Sequence, residues 1–304
     1  MHPVPEDERE RYNARPAEYW DSFYENNKDK FFKDRHWLRV EFSDLFQWTD
    51  KRKSASTDND SSAFEENRCG SGGSAAVQKG TASETSCEKS LIMEVGCGAG
   101  NTVFPLLDDI YDPRLFVYAC DYSSTAIDVV KVRFDSASAS NVKIQKDAAS
   151  SHADKAYDEQ RCSAFVWDLS SAELPPQVEP ESVDILLMVF VFSALHPDQW
   201  IQAVENAYKI VKPGGIVLFR DYGRNDLAQL RFKKSRLLAE NLYIRGDGTH
   251  VYFFTNSELA EIFGRRFEVE QNAIDRRLLV NRKRELKMYR VWLQAKFRKP
   301  INAS

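Results

Sequence analysis

Cysteine is scarce and odd in number: five residues, Cys69, Cys87, Cys97, Cys120 and Cys162, with no pair spaced C-x-x-C. That excludes a disulfide framework and a cysteine-based zinc site, and it fits a reducing compartment. Histidine is equally sparse, and its five positions form neither H-E-x-x-H nor H-x₃₋₅-H; no metal is expected. No apolar run reaches the roughly 18 residues that a membrane helix needs; the longest is ILLMVFVF, Ile185 to Phe192. The N-terminus, MHPVPEDERERYN, is acidic and lacks an apolar signal core. Nor is there a global excess of positive charge: the formal net charge is −4, so the chain as a whole is no general polyanion binder. Internal repeats are absent. These absences leave a protein of the cytoplasm, with the nucleus as the alternative, and no membrane partner.

Of the 304 residues, 42% are hydrophobic and 12% aromatic, enough to bury a large core. Residues 16–48 read as helical, with Trp20, Phe23, Tyr24, Asn27 and Phe31 on one face at steps of three and four. From Ser54 to Lys89 the chain turns to Ser, Gly, Ala, Asn and Glu, with Phe64 its only aromatic. Such a stretch cannot bury enough apolar surface to offset its ordering entropy, and residues 50–89 read as a linker or insertion. Ser136 to Gln160 reads as a second, weaker loop insertion.

From Ser90 strands alternate with helices. The strands are LIMEV, LFVYACD, AFVWDL, VDILLMVFVFSAL and KPGGIVLFRDYG; the helices are Asn101 to Leu107, Ser124 to Arg133 and Pro197 to Val211. This alternation predicts βαβ units and a parallel sheet. RFEVEQNAID and MYRVWLQAKF read as a closing pair, for about seven strands with an antiparallel pair at one edge.

The first strand runs into EVGCGAGN, where Gly96, Gly98 and Gly100 give G-x-G-x-G at a strand-to-helix junction. Glycines there let the backbone turn tightly and approach a ligand. Asp121 ends the second strand, about where an acid accepts hydrogen bonds from ribose hydroxyls. A dinucleotide fold requires G-x-G-x-x-G, so that a helix N-terminus meets a pyrophosphate. Here the third glycine comes one residue early and Asn101 follows it. With the acidic Glu94 before the loop, the spacing is similar to the first motif of Rossmann-like methyltransferases, whose S-adenosylmethionine carries no phosphate. Asp168 ends AFVWDL, where such enzymes contact the adenine amino group. The competing reading is that Asp121 and Asp168 merely cap the segments that follow them.

Taken together, YWDSFY (19–24), FFKDRHWL (31–38), EVGCGAGNTVFPLL (94–107), CDYSSTAI (120–127), VFVFSALHPD (189–198), KPGGIVLFRDYGRND (212–226), RGDGTHVYFFT (245–255), DRRLLVN and MYRVWLQAKF resemble the tRNA N(3)-methylcytidine methyltransferases. The match covers about residues 17–48 and 90–300. The inserted linker and DRRLLVN are most similar to the subgroup that modifies threonine tRNA in the anticodon loop. One departure stands out: relatives usually carry Arg after DGT, and this chain has His250.

The resemblance implies a class I α/β fold with a central, mostly parallel seven-stranded sheet and an N-terminal helical RNA-binding extension. The implied domains are a cofactor lid and RNA-binding region at 1–49, a linker at 50–89 and the methyltransferase domain at 90–304. It implies S-adenosylmethionine as cofactor and methylation of cytidine N3 in tRNA, at cytidine 32 of the anticodon loop. Implied cofactor contacts are Trp20, Tyr24, Gly96, Gly98, Gly100, Asn101, Asp121, Tyr122, Asp168, Leu169 and Val189. FFKDRHWL alone reads as a helix end with charges in water; the resemblance instead places it at the RNA entrance, with Lys33, Arg35 and His36 toward phosphate or base edges. Asp221, in RDYG at the substrate end of the sheet, is assigned to the cytosine amino group and the developing charge. Arg220 is assigned to the cytosine carbonyl or to fixing Asp221, and a purely structural Arg–Asp pair is the competing reading.

Residues 276–299 hold ten Lys or Arg against one acid, Glu285. Arg276, Arg277, Arg282 and, upstream, Arg245 are therefore read as RNA contacts, with Tyr222, Phe232 and Tyr243 able to stack bases. The expected partner is the tRNA anticodon stem-loop, with a protein that aids tRNA selection as a further candidate. The alternatives are a methyltransferase for protein or a small molecule, and a non-catalytic RNA-binding subunit.

Overall fold

The computed structural model describes residues 3–43, 45–46, 89–110, 112–144, 160–282 and 285–301. The expected linker lies outside the described residues apart from its last position, Lys89.

Seven strands form one sheet in the order β3-β2-β1-β4-β5-β10-β9. They are β1 (Ser90–Val95), β2 (Leu115–Asp121), β3 (Cys162–Val166), β4 (Val183–Val189), β5 (Val211–Tyr222), β9 (Glu268–Asn281) and β10 (Leu286–Arg298). The first five run parallel, and β10 pairs antiparallel with both β5 and β9. The expected closing pair at one edge is thus present. Every residue of β4 is buried, as expected for a parallel strand covered on both faces.

Alternate residues feed two cores, following the period of two of a pleated strand. Met93, Leu186, Met188, Val217 and Phe219 face one side, beneath helix α6 (Trp200–Ile210) and helix α8 (Asn256–Phe263). Ile92, Ile185, Leu187 and Leu218 face the other. There they pack with α4 (Val103–Asp109), α5 (Ser124–Ile144) and the N-terminal Leu38, Phe42, Leu45 and Phe46.

Three expectations need correction. The helix expected over 16–48 is broken. After α1 (Glu6–Ala14), α2 (Pro16–Asn27) ends at Lys28, whose φ of 50° is left-handed, and only a short α3 (Leu38–Glu41) follows. The apolar face still closes, because the turn folds Phe31 back against Phe23 at 4.9 Å between ring centroids. Second, α5 continues to Ile144, so the stretch expected to loop from Ser136 begins as helix. Third, a separate three-stranded sheet of β6 (Leu237–Ala239), β7 (Leu242–Ile244) and β8 (His250–Tyr252) was not foreseen. At three residues each, these strands are too short to show a periodic pattern. Among the described residues no helix is long and apolar enough to cross a membrane.

Candidate active site

The carboxyl ends of β1, β2, β4 and β5 open on a cavity of about 480 Å³, the position where ligands bind in open α/β sheets. One end of it is built on the glycine loop. Gly96, Gly98 and Gly100 have φ of 68°, 54° and 80°, a region that L side chains rarely adopt. A Cβ at Gly96 would stand 2.4 Å from Val191 Cγ2, and one at Gly98 would stand 2.4 Å from the Tyr24 hydroxyl oxygen. Gly100 turns away from the cavity, against the Phe104 ring.

Asp121 fastens this loop. Its Oδ2 accepts the Gly98 N–H at 2.8 Å and its Oδ1 accepts the Ser123 N–H at 2.9 Å. Burial pushes its carboxyl up to about 6, against those hydrogen bonds. The carboxylate therefore caps its own surroundings and also lines the cavity. Asp168 behaves alike: Oδ1 accepts from the Ser170 N–H and hydroxyl, at 2.8 and 2.7 Å, and the residue lines the cavity beside Leu169 and Tyr122. It lies two residues past the end of β3.

The N-terminal segment closes over the loop. Ser123 Oγ donates to Asp21 of α2 at 2.6 Å, and Trp20 stacks on Tyr24 at 6.1 Å. In FFKDRHWL, Asp34 accepts from Asn101 Nδ2 at 2.9 Å and pairs with Arg133 at 3.2 Å. Arg35 donates to Glu94 at 2.9 Å and to Thr102 Oγ1 at 2.7 Å, while its backbone N–H donates to the Asn101 carbonyl at 2.7 Å. Burial pushes the Glu94 carboxyl up to about 7 against the pull of Arg35. Glu94 Oε2 is buried without a hydrogen-bond partner.

This end fits S-adenosylmethionine. It offers acceptors to a ligand rich in donors, Asp121 and Asp168, with Trp20 and Tyr24 lining the same cavity. Two arginines touch the loop region, and each is paired with a carboxylate, Arg35 with Glu94 and Arg133 with Asp34, so neither offers a free charge to a pyrophosphate there. Among the described residues no cluster of His, Cys, Asp and Glu could hold a metal ion.

The other end is aromatic and cationic. Phe190, just past β4, has φ of 60°, costly for a bulky residue and therefore held by its surroundings. Its ring lies 5.0 Å from Tyr222 and 6.2 Å from Trp292. Trp37, Arg245 and Arg290 complete this end.

Arg220 and Asp221 are not among the lining residues. Adjacent strand positions face opposite sides of the sheet, so they form no pair with each other. Arg220 is 2% exposed, in an ionic cluster with Glu41, Asp275 and Gln294, and its guanidinium packs on Trp37 and Trp292 at 5.2 and 4.9 Å. Asp221 is fully buried; its carboxylate accepts the backbone N–H groups of Ser193 and Tyr222, both at 2.8 Å. Burial pushes it up to about 6.

Of the residues expected at the RNA entrance, Lys33 and Arg35 line the cavity, and His36 is exposed outside it. Arg276 and Arg282 are exposed on the β9–β10 ribbon, whereas Arg277 pairs with Asp275 and Glu41. Sequence reading gave no role to Trp37 or Trp292, and counted Arg290 only as one of the basic cluster at 276–299. A signal existed for the last two: positions 290, 292 and 294 alternate onto one face of a strand.

Residues 93–217 match the methyltransferase domain family. The chain is 44% identical over 295 residues to the tRNA N(3)-methylcytidine methyltransferase trm140 of Schizosaccharomyces pombe, covering 97% of this chain and 78% of that protein. It is 45% identical to the tRNA(Thr) (cytosine(32)-N(3))-methyltransferase of Saccharomyces cerevisiae, covering 98% of this chain but only 39% of that longer protein. Among solved structures, the 1,6-didemethyltoxoflavin-N1-methyltransferase of Burkholderia thailandensis superposes with a TM-score of 0.54 at 13% identity, over 99% of this chain and 93% of that one, a likeness of fold alone. Identity this high over nearly the whole chain, joined to a glycine loop and acceptor set suited to S-adenosylmethionine, makes the protein a member of the tRNA N(3)-methylcytidine methyltransferase family.

Proposed function

We propose that the protein methylates N3 of cytidine in tRNA, at cytidine 32 in the anticodon loop of threonine tRNAs. The observation that carries this reading is one cavity with two unlike ends: an acceptor-rich glycine loop under Trp20 and Tyr24, and an aromatic notch of Phe190, Tyr222 and Trp292. The relatives' names supply the nucleoside and its position.

S-adenosylmethionine, when bound, supplies an electrophilic methyl on a sulfonium. Cytosine N3 carries an in-plane lone pair that is unprotonated at neutral pH, so the chain needs no general base. Its task is alignment, which contributes up to roughly 7–11 kcal/mol in favourable cases. N3 lies on the Watson–Crick edge, so the base must leave its stack to be reached. The notch replaces that stack with aromatic faces, each worth roughly 1–3 kcal/mol per base. As the N3–methyl bond forms, the base becomes cationic, and ring faces attract cations.

In this reading Asp221 and Arg220 are positioning residues. Asp221 ties Tyr222 to Ser193 on the segment after β4. Arg220 braces Trp37 and Trp292 from behind. Trp20, Tyr24 and Asp121 hold the cofactor end with the glycine loop, Asn101, Tyr122, Asp168, Leu169 and Val189. Residues 1–49 act as lid and RNA-binding region over the catalytic domain at 90–304, with 50–89 as the linker between them. The exposed Lys33, His36, Arg276 and Arg282 supply surface charge for the stem-loop, in the cytoplasm or nucleus, and a protein partner sharpens tRNA choice.

The test is incubation of the purified protein with S-adenosylmethionine and a threonine tRNA transcript, followed by nucleoside mass spectrometry. We expect 3-methylcytidine, and its loss when cytidine 32 is replaced by uridine. Methylation of another nucleoside, or of the uridine-substituted transcript, would refute the assignment.

A further inference from the structure

Arg290 and Arg245 are the two cations at the aromatic end of the cavity, and both guanidinium groups lie against the same ring, Tyr222, at 5.8 and 5.5 Å from its centroid. They are held differently. Arg290 donates through Nε to both oxygens of Asp226, at 3.1 and 2.9 Å. Asp226 is fully buried, and it also accepts the backbone N–H groups of Ala228 and Val291, both at 2.7 Å. Its carboxylate is thus fixed from several sides, and it fixes the plane of the guanidinium in turn. Because the contact uses Nε, the Nη groups of Arg290 have no hydrogen-bond partner among the described residues and can meet a ligand. Arg245 donates Nη1 to Thr249 Oγ1 at 3.2 Å and to the His250 carbonyl at 3.1 Å. These acceptors are neutral, and among the described residues no carboxylate lies within ion-pair distance of Arg245. The buried Asp221 carboxylate acts on Arg245 only at longer range, so this end of the cavity carries one guanidinium without a direct ion pair and a pre-oriented fork.

We propose that Arg290 and Arg245 form a binding site for a phosphodiester of the RNA backbone beside the target nucleotide, with Asp226 as the positioning residue of Arg290. The inference rests on the tRNA-methylating reading above. Planar guanidinium N–H groups match phosphate oxygens in geometry and charge. The alternative ligand, the cytosine edge itself, is disfavoured by charge. Methyl transfer leaves the base cationic, so a guanidinium without a direct ion pair on that edge would oppose the reaction. A phosphodiester anion has the opposite effect: it neutralises Arg245 and adds negative potential near the developing cation. A nucleotide drawn out of its stack also brings its own phosphates to the mouth of the pocket.

The experiment measures threonine tRNA affinity across a salt series, steady-state kinetics and cofactor affinity for the parent, Arg290→Gln, Arg290→Lys and Asp226→Asn. Removing one phosphate contact flattens the slope of log affinity against log salt by about 0.7–0.9. For Arg290→Gln we expect that flattening, a KM for tRNA raised about ten-fold, kcat within a few-fold and unchanged cofactor affinity. Arg290→Lys keeps the charge and should keep the slope, recovering part of the affinity. Asp226→Asn should raise KM while retaining most of the slope. Because Asp226 also caps helix α7 (Leu227–Leu230), the two Arg290 variants decide the matter if that protein melts early. An unchanged slope in Arg290→Gln, or a fall in kcat with KM unmoved, overturns the phosphate site. Since the slope is a binding measurement, it is read independently of turnover; absence of 3-methylcytidine from the parent would instead refute the functional reading on which the site rests.

Discussion

Arg35 donates to the Glu94 carboxylate at 2.9 Å, in a pair whose side chains are 13% and 1% exposed. The contact joins the N-terminal FFKDRHWL segment to the strand that launches the glycine loop. A run of charges that reads as solvent-facing is thus partly internal. Asp34 and Arg35 hold the loop and the start of the following helix, while Lys33 and His36 face outward.

Replacing Arg35 with Gln should be severe. It leaves the buried Glu94 without its cation, and breaking such a pair from one side typically costs about 3–5 kcal/mol. Urea unfolding should show that loss, and calorimetry should show weaker S-adenosylhomocysteine binding. A variant as stable as the parent would mean that the pair contributes nothing to the fold.

Stability should also depend on pH in an unusual direction. Burial raises the carboxyl groups of Glu94 to about 7 and of Asp121 and Asp221 to about 6. A group whose folded value lies above its unfolded one binds its proton more tightly when folded. Its contribution is complete below the ordinary carboxylate range and is lost as the pH rises through 6 to 7. Asp21, Glu258 and Asp275 are shifted down by hydrogen bonds and ion pairs that outweigh their partial burial, so they act oppositely, losing their contribution in acid. The urea midpoint of the ligand-free protein should therefore fall between about pH 5 and 8. Asp221→Asn should remove part of that fall, about 1.4 kcal/mol for the one pH unit between 5 and the carboxyl's value of about 6. A midpoint that rises across this range would contradict the assignment.

Much of this architecture was legible because the parallel strands are apolar and end in glycines or acids. The glycine loop and Asp121 follow local rules, whereas Pro213-Gly214-Gly215, expected as a turn before the fifth strand, lies within β5 at a break in its register with β4. Three features obey no local rule. Lys28 breaks a helix with a left-handed φ that no glycine or asparagine announces. Which charges of FFKDRHWL are internal depends on Glu94 and Asn101, far along the chain. RDYG closes β5 beside the cavity, yet pleating alone does not tell which side chain reaches it. Its tyrosine lines the cavity, while Asp221 and Arg220 are held elsewhere.

The aromatic notch gives a kinetic prediction. Trp292→Ala removes a ring that faces Phe190 and Arg290. If it stacks the flipped base, the loss of roughly 1–3 kcal/mol corresponds to about a 5–150-fold fall in kcat/KM for tRNA. Cofactor affinity should stay unchanged, because the lid and glycine loop lie at the other end. Single-turnover methylation with parallel calorimetry separates the two, and equal losses in both would remove Trp292 from the substrate side.

The contact between Gly98 and Tyr24 offers the sharpest test of the cofactor end. Gly98 sits at φ 54°, and a Cβ there would stand 2.4 Å from the Tyr24 hydroxyl oxygen. Tyr24 is only 4% exposed and packs against Trp20 and Phe23, so its ring has little room to retreat. Gly98→Ala should therefore displace the lid and lower S-adenosylmethionine affinity by about ten-fold or more. Two effects contribute: the steric clash, and a left-handed backbone that costs an L-residue roughly 1–2 kcal/mol. Tyr24→Phe removes only the clashing oxygen and should by itself be mild. In the double variant the clash is gone and the backbone strain remains, so affinity should recover in part but not fully. That non-additivity, of about 0.5–3 kcal/mol for residues in contact, is what a double-mutant cycle measures. Strictly additive losses would mean that Tyr24 does not close over Gly98 in solution, and the lid assigned to α2 would have to be abandoned.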